Sequence, residues 1–378
     1  MNQSLAAEYF ADEPAVITRH LLRRNRRLLL FGQPGIGKTT LAAGLAMKLA
    51  DAGRRIWCLS ADPGSPVFGA PGAVCLGQWR QARWSLQGLE AICSLDAARF
   101  RLPLVCAVRN LAGSIADGTL ILDTPGVTRG VAGAELLTAL VQAADIDLLL
   151  VIQRDFQPLP LLHELQSLGI ELACVKASAQ AHRPGRMTRA RHRTGLWDRY
   201  LEGAKEQVLP LQQLQTLGTP PRNAPEAWLG KQVALLEQGR TRAMGEVIQA
   251  DSETLRVRVA VACRATGGLL VRDACRGSDG LLTTGKPFGD KLVRYIAPTD
   301  LLPDATLQGN GGVRPLVHVA TAMGTLINGV FGDPLLHLRL RHQRRSLLFD
   351  LGEGSRLPAR IAHQVSDVFI SHAHMDHI

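Results

Sequence analysis

The sequence predicts an α/β fold with a parallel sheet, followed by a small β domain and a third strand-rich segment. Residues 1–203 alternate short apolar runs with helical stretches, which is typical of a parallel sheet covered by helices on both faces. Alternating apolar residues between Leu255 and Val261 indicate a half-buried strand of a β domain. From about Pro315 the apolar runs again have strand length.

The elements of the first region follow from these runs. Strands are predicted at Arg27–Phe31, Ile56–Ala61, Leu120–Asp123, Leu148–Gln153 and Glu171–Lys176. Helices are predicted at Lys38–Asp51, Gly133–Ala144 and Pro160–Leu168.

The predicted domain boundaries follow changes in pattern. Residues 204–227 lack periodicity and contain Pro220, Pro221 and Pro225, so we expect a linker there. The predicted organisation is therefore an α/β domain at 1–203, this linker, a β domain at 228–310 and a third segment at 311–378.

Composition excludes several classes of protein. The chain has 378 residues, and its 46% hydrophobic content excludes a disordered tail protein. No apolar run reaches the ~18 residues of a membrane span, and the first 20 residues lack the apolar core of a secretory signal. The seven cysteines are scattered without a CxxC pair, so we expect no disulfide framework and a reducing, cytoplasmic environment.

The net charge of the chain indicates which kind of partner it could bind. A formal net charge of +10 favours a polyanionic partner, although a generally arginine-rich composition would give the same value.

The strongest chemical signal is GQPGIGKT, which fits G-x-x-x-x-G-K-[ST] between a predicted strand and a predicted helix. Such a loop turns its backbone N–H groups around phosphate oxygens at a helix N-terminus, so the first region is predicted to be a P-loop NTPase domain. Lys38 is expected to reach the β and γ phosphates, and Thr39 to offer its hydroxyl to Mg²⁺. The predicted nucleotide-binding residues are Gly32, Gln33, Pro34, Gly35, Ile36, Gly37, Lys38, Thr39 and Thr40.

Two carboxylates follow strands beside this loop. Asp62 ends the second predicted strand, and Asp123 ends the third at the position of a Walker B acid. An acid at the carboxyl end of such a strand faces the nucleotide, where it can orient Mg²⁺ or accept a proton from an attacking hydroxyl. The alternative for either acid is a helix-capping or turn carboxylate.

A basic helix is predicted further along the chain. Arg186, Arg189 and Arg193 are spaced to share one helical face, which could stabilise a transferring phosphoryl group or grip a nucleic-acid backbone. A solvated helix face is the alternative. We expect a second arginine cluster, Arg23, Arg24, Arg26 and Arg27, to be solvated.

Together, GQPGIGKT, SADPGSPVFGAPG, LILDTPGVTRGVAGAELLTAL and the arginine helix resemble the polynucleotide 5′-hydroxyl kinases over about residues 25–300. The resemblance implies ATP and Mg²⁺ as cofactors and a nucleic acid with a 5′-hydroxyl end as substrate, RNA more than DNA. It implies Lys38, Asp62, Arg189 and Arg193 as catalytic residues, and Thr39, Asp62 and Asp123 as magnesium ligands. It further implies a substrate clasp at Thr124 and Gly126 with Arg129 beside it.

The chain departs from the family at two positions. Ser65 stands where family members often have Gln, and Val127 stands where an aromatic residue usually follows the clasp. The residue that stacks on a base is therefore left open among Trp79, Trp84 and Trp197.

The tail gives an independent signal. Its ending HAHMDHI places His372, His374, Asp376 and His377 in a pattern that can hold zinc, with a histidine-rich terminus as the alternative. The segment resembles the start of a ribonuclease Z-like metallo-β-lactamase fold, which implies that an acid near Asp350 supports the histidines. That fold takes further ligands from later strands, so we expect a truncated segment with a partial Zn²⁺ site and no nuclease activity.

These signals predict an ATP-dependent polynucleotide 5′-hydroxyl kinase fused to an incomplete metallohydrolase segment. The alternatives are a P-loop GTPase or ATPase switch, including metal-insertion and partition ATPases, and a nucleic-acid scaffold with a structural P-loop. DTPG and SADP favour a switch, whereas the absence of an N-K-x-D motif counts against a GTPase. The sequence leaves the oligomeric state open.

Overall fold

The computed structural model describes residues 8–9, 21–22, 26–154, 159–221, 225–261, 267–285, 316–319, 322–328, 333–340, 343 and 345–371. The chain forms two compact units, residues 1–291 and residues 292–378.

The first unit contains a mixed, mostly parallel sheet of eight described strands in the order β1-β8-β7-β2-β6-β3-β4-β5. All neighbours from β1 to β3 pair in parallel, whereas β4 is antiparallel to β3 and to β5. The strands are β1 Glu8–Tyr9, β2 Arg27–Phe31, β3 Ile56–Ser60, β4 Ala73–Arg80, β5 Arg83–Ala91, β6 Thr119–Asp123, β7 Leu148–Gln153 and β8 Glu171–Lys176.

Helices cover both faces of this sheet, as the sequence predicts. Leu28 and Leu30 of β2 pack with Leu45 of the first helix, whereas Leu29 packs with Leu104 on the opposite face. The helices are α1 Lys38–Asp51, α2 Arg101–Ala112, α3 Gly130–Ala143, α4 Leu162–Ser167 and α5 Arg186–Tyr200. Within the described ranges, no helix combines the length and apolarity that crossing a membrane would need.

Most predicted elements of this unit are confirmed, but the β4–β5 hairpin and α2 were not predicted. Helix α2 has Pro103 in its first turn, a position that proline tolerates because the first backbone N–H groups of a helix lack intrahelical acceptors. Strand β5 has an irregular burial pattern, since its face is covered only in part.

Arg26 corrects the expectation of a solvated arginine cluster. Its side chain is only 3% exposed, and its guanidinium donates hydrogen bonds to Asp147 Oδ1 at 2.9 Å and Glu171 Oε2 at 2.7 Å. These carboxylates join the starts of β7 and β8 to the start of β2. Residues 23–25 lie outside the described residues.

A second sheet follows in the same unit, in the order β10-β14-β11-β12-β13-β9, with β15 paired to β14. Its strands are β9 Lys205–Pro210, β10 Gln215–Gly218, β11 Lys231–Glu237, β12 Arg240–Ala250, β13 Thr254–Val259, β14 Gly268–Arg276 and β15 Leu282–Thr284.

Two strands of this sheet lie inside the segment predicted to be a linker. Among the described strands, β9 pairs with β13 and β10 with β14, at the two ends of the sheet. Neither strand has a strongly apolar sequence, as is common for edge strands. All four residues of β10 are exposed, which explains why hydrophobic periodicity missed it.

Helix α5 is fixed between the two sheets. Trp197 is fully buried, in a cluster with Cys75 of the first sheet and Met244 of the second. Its Nε1 donates a hydrogen bond to Glu246 Oε2 at 2.7 Å, and Arg276 donates to both Glu246 and Asp198. The second sheet therefore holds α5 in place against the first.

The second unit contains strands in the order β16-β17-β18-β19-β20, and β19 pairs with β20 in parallel. The elements are β16 Leu316–Val319, β17 Ala322–Leu326, β18 Leu336–Leu340, β19 Ser346–Phe349, α6 Ala359–Ala362 and β20 Asp367–Phe369.

We expect Trp197→Ala to lower the free energy of unfolding by about 3–5 kcal/mol, because it removes a large buried side chain and leaves Glu246 with one partner fewer. Urea denaturation of the full chain measures this loss. Leu102→Ala is the control, since Leu102 is 75% exposed and should cost less than ~0.5 kcal/mol. A loss below about 1 kcal/mol for Trp197→Ala would contradict the role of this contact.

Candidate active site at the phosphate-binding loop

The glycine-rich loop joins β2 to α1 in the geometry of a phosphate-binding loop. Gly35 and Gly37 have φ values of 78° and 102°, in the left-handed region that glycine adopts without strain. Lys38 is the first residue of α1 and is only 8% exposed. Its Nζ donates to the carbonyl oxygens of Gly32 at 2.8 Å and Gln33 at 3.2 Å, so the ammonium group lies within the loop.

Strand register brings Asp123 to this loop. In β6, Asp123 pairs with Leu30 of β2 on one side and with Ser60 of β3 on the other. Thr39 Oγ1 donates a hydrogen bond to Asp123 Oδ2 at 2.9 Å. Among the described residues, Asp123 Oδ1 is buried and has no hydrogen-bond partner. A buried carboxylate oxygen that has no hydrogen-bond partner and lies beside a hydroxyl group is a suitable ligand for a hard divalent cation such as Mg²⁺.

Asp62 follows β3 at the same edge of the sheet. Its Oδ1 accepts hydrogen bonds from the backbone N–H groups of Gly64 at 3.0 Å and Ser65 at 3.1 Å. The turn fixes the orientation of the carboxylate, and Asp62 is half-buried. A carboxylate held in this way can receive a proton from a group that approaches the edge of the sheet.

The three charged groups shift one another's pKa. Burial raises the pKa of Asp123 to about 6, against the opposing effects of Lys38 and the Thr39 hydrogen bond. Burial also raises the pKa of Asp62, with Lys38 as the main opposing charge. The pKa of Lys38 is lowered by burial, and both carboxylates oppose that change. A cation beside Asp123 would favour its ionised form.

Helix α5 brings arginines to the same place. Arg189 is close enough to lower the pKa of Asp62, and Asp62 in turn acts on Arg193. Arg193 Nε donates to the carbonyl oxygen of Leu282 at 2.7 Å, while burial and the neighbouring Arg189 and Arg186 lower its pKa. Within the described part of the chain, the buried Nε of Arg189 has no acceptor. Arg189 and Arg193, both predicted to be catalytic, therefore lie close enough to Asp62 to interact with it electrostatically.

The segment before α5 covers the loop. A Cβ at Gly35 would overlap the backbone of Arg183, and a Cβ at Gly37 would lie 3.8 Å from Ala181 Cβ. Arg154 Nη2 donates to the Ala181 carbonyl oxygen at 2.7 Å. These contacts, and the acceptor supplied by Leu282 to Arg193, join residues far apart in sequence. Spacing alone could not have identified them.

The predicted clasp residues shape the loop from the other side. Thr124 is 4% exposed, and its hydroxyl donates to the Leu30 carbonyl oxygen at 2.6 Å. Gly126 lies against Pro34 so closely that a Cβ would overlap the proline ring. Arg129 is exposed and precedes α3. Contact between these residues and a substrate stays a prediction.

The three tryptophans considered for stacking on a base differ in their burial. Trp197 is wrong as a base-stacking residue, because it is fully buried in the core. Trp79 and Trp84 are half-buried on the β4–β5 hairpin.

The predicted zinc residues His372, His374, Asp376 and His377 lie outside the described residues. Asp350 has a φ of 58°, and its side chain accepts hydrogen bonds from the N–H of Ser371 at 2.7 Å and the Ser371 hydroxyl at 3.1 Å. No group of three or more His, Cys, Asp or Glu suited to a metal occurs within the described ranges. The zinc site stays a prediction.

Comparisons with known proteins agree with a nucleotide-binding protein. A family profile described as Novel STAND NTPase 3 matches residues 11–65. A polyribonucleotide 5′-hydroxyl-kinase of Pyrococcus furiosus is 25% identical over 205 residues, which are 52% of this chain and 57% of that protein. One of the same name from Pyrococcus abyssi is 27% identical over 206 residues, with the same two coverages. The chain thus spans somewhat more than half the length of these curated relatives.

Solved structures support the fold. A structure of a complex of Clp1p with Pcf11p matches with a TM-score of 0.58 and 12% sequence identity, over 68% of this chain and 77% of that chain. A second structure of Clp1p and Pcf11p gives a TM-score of 0.57 at 13% identity. The α/β architecture around the P-loop is therefore shared with known structures.

We expect Gly126→Ala to weaken nucleotide binding about tenfold, because the new methyl group must displace Pro34 and with it the phosphate-binding loop. Titration with a fluorescent ATP analogue measures the change. Gly44→Ala in α1 is the matched control, since nothing lies within 4 Å of its Cβ position. Equal affinities for the two variants would contradict the role of Gly126 in shaping the loop.

Proposed function

We propose that the chain is an ATP-dependent polynucleotide 5′-hydroxyl kinase that transfers the γ-phosphate of ATP to the 5′-OH of RNA. The observation that carries the proposal is that Asp62 lies within electrostatic range of Lys38 and of two α5 arginines. A nucleotide switch requires the loop and a metal ligand, whereas phosphoryl transfer to a hydroxyl also benefits from a second carboxylate beside the arginines. The names of the curated relatives support the same activity.

Each residue has a defined task in this proposal. Lys38 neutralises charge on the β and γ phosphates, within the backbone N–H groups of the loop. Thr39 and Asp123 would hold Mg²⁺, which supplies charge neutralisation for the phosphates when bound. Asp62 orients the 5′-hydroxyl and accepts its proton as the oxygen bonds to the γ-phosphorus and the bond to the β–γ bridging oxygen breaks. Arg189 and Arg193 stabilise the charge of the transferred group.

RNA is proposed over DNA because the curated relatives are named polyribonucleotide kinases. The net charge of +10 suits either polyanion and does not distinguish them. We retain for residues 311–378 the interpretation as the start of a ribonuclease Z-like segment. This interpretation rests on the resemblance of the sequence alone.

The main alternative is a P-loop switch that hydrolyses its nucleotide. Incubation with γ-labelled ATP and a 5′-hydroxyl RNA oligonucleotide separates the two activities. Label on the oligonucleotide selects the kinase, release of phosphate alone selects the switch, and neither result selects a scaffold with a structural P-loop.

Lys38→Ala should reduce label transfer by several orders of magnitude, because the ammonium group lies where charge develops on the transferred phosphoryl group. Initial rates at saturating ATP measure the loss. Lys48→Ala, at the exposed end of the same helix, is the control and should retain the wild-type rate. Retention of more than about a tenth of the rate by Lys38→Ala would remove Lys38 from this role.

Asp62→Asn should lower kcat for transfer by about 10²–10⁴ and change ATP affinity by less than about threefold. Asparagine preserves the shape and the hydrogen bonds from Gly64 and Ser65 but cannot take up the proton. If ATP affinity collapses and excess Mg²⁺ restores activity, Asp62 is mainly a metal ligand and its assignment as the base is wrong.

A further inference from the structure

The β4–β5 hairpin presents a symmetric arrangement of charged and aromatic residues. Its turn is Gln81–Ala82, with φ values of 50° and 56°, so the two strands meet in a tight two-residue connection. Across the turn, Arg80 pairs with Arg83, and Trp79 pairs with Trp84. Two arginines directly opposite each other repel, which is unfavourable unless an anion lies nearby.

A cavity of about 490 Å³ opens beside this hairpin. Phe68, Trp79 and Trp84 line it together with Arg83 and Arg199. The Trp84 ring stacks on Phe68 at 5.7 Å between centroids and meets Trp79 edge-on at 4.8 Å. Among the described residues, the buried Trp84 Nε1 has no hydrogen-bond acceptor. The cavity thus combines an aromatic wall with two guanidinium groups.

The cavity lies away from the phosphate-binding loop. Strand β4 runs antiparallel to β3, and Ser60 is opposite Cys75. Trp79 is four residues further along β4, about 13 Å from the end of β3 that Asp62 follows. Arg199 is in the last turn of α5, about 9 Å along the helix axis from Arg193, the nearer of the two arginines assigned to the transferred group. A group in this cavity is therefore distinct from the terminal phosphate acceptor.

We propose that this cavity binds a base of the single-stranded polynucleotide substrate downstream of its 5′ end. The base stacks on the tryptophan pair, and Arg83 and Arg199 pair with the adjoining phosphates. Stacking on aromatic side chains beside basic groups is how single strands are held. The inference rests on the proposed function for the identity of the strand.

Binding without ATP tests the proposal independently of catalysis. The probe is a fluorescein-labelled single-stranded RNA decamer with a 5′-hydroxyl, titrated by anisotropy at several salt concentrations. We expect Arg83→Gln to reduce the slope of log affinity against log salt by about 0.7, the value for one lost phosphate contact on a single strand. Arg242→Gln is the control, because Arg242 is an exposed arginine of the second sheet paired with Glu237.

A second variant tests the stacking of the base on the tryptophan pair. Trp79→Ala should weaken decamer binding by about 5- to 100-fold, and the thermal unfolding midpoint checks that the variant still folds. In the kinase assay, both variants should raise KM for the decamer while leaving kcat, KM for ATP and KM for a nucleoside 3′-monophosphate unchanged.

Three results would overturn the proposal. The first is an unchanged salt slope for Arg83→Gln, and the second is a raised KM for the nucleoside 3′-monophosphate, which would place the cavity at the terminal nucleotide. The third is a raised KM for ATP, which would assign the cavity to the cofactor base. If wild-type chain binds the decamer but transfers no phosphate, the kinase fails and the Arg83 result still decides this site.

Discussion

The parallel register of β6 between β2 and β3 is the constraint on which the site depends. It places Asp123 beside Leu30, the penultimate residue of the strand that leads into the phosphate-binding loop, and beside Ser60, two residues before Asp62. The three strands are almost entirely buried between two apolar cores, so a shift of one residue would exchange the side chains that face each core and disrupt the packing of both. The cores on the two faces thereby fix the separation of Lys38, Asp62 and Asp123.

The second sheet holds helix α5 and its arginines in place. It fixes α5 through Trp197 and Glu246, and Leu282 gives Arg193 a carbonyl acceptor. Arg276 donates hydrogen bonds to Glu246 of β12 and to Asp198 of α5, and these bonds raise the pKa of Arg276. The arginine therefore stays charged and joins α5 to β12. The arginines beside Asp62 are thus held by a rigid helix, and pre-placed positive charge stabilises a transferring phosphoryl group without reorganisation. The β domain thereby helps to position the arginines of the candidate site.

The sequence predicted the centre of the fold well and its periphery poorly. The P-loop, α1 and the strands ending at Asp62 and Asp123 followed from motif and apolar runs, because buried parallel strands are nearly all apolar. Strands β9 and β10 have exposed edges, so no periodicity marked them. The burial of Arg26 depends on Asp147 and Glu171, more than 100 residues away, and the contacts of Arg193 and Gly35 are similarly distant. Motif spacing indicated the candidate site residues but not the contacts that orient them.

The most direct test of the assignment is a crystal structure of the chain with a non-hydrolysable ATP analogue, Mg²⁺ and a short 5′-hydroxyl RNA. We expect the 5′-oxygen within about 3 Å of an Asp62 carboxylate oxygen and in line with the γ-phosphorus. Thr39 and the Asp123 carboxylate should contact the metal or its waters. A 5′ end bound elsewhere, with Asp62 on the metal and only water facing the γ-phosphate, would contradict the kinase and identify a nucleotide-hydrolysing switch.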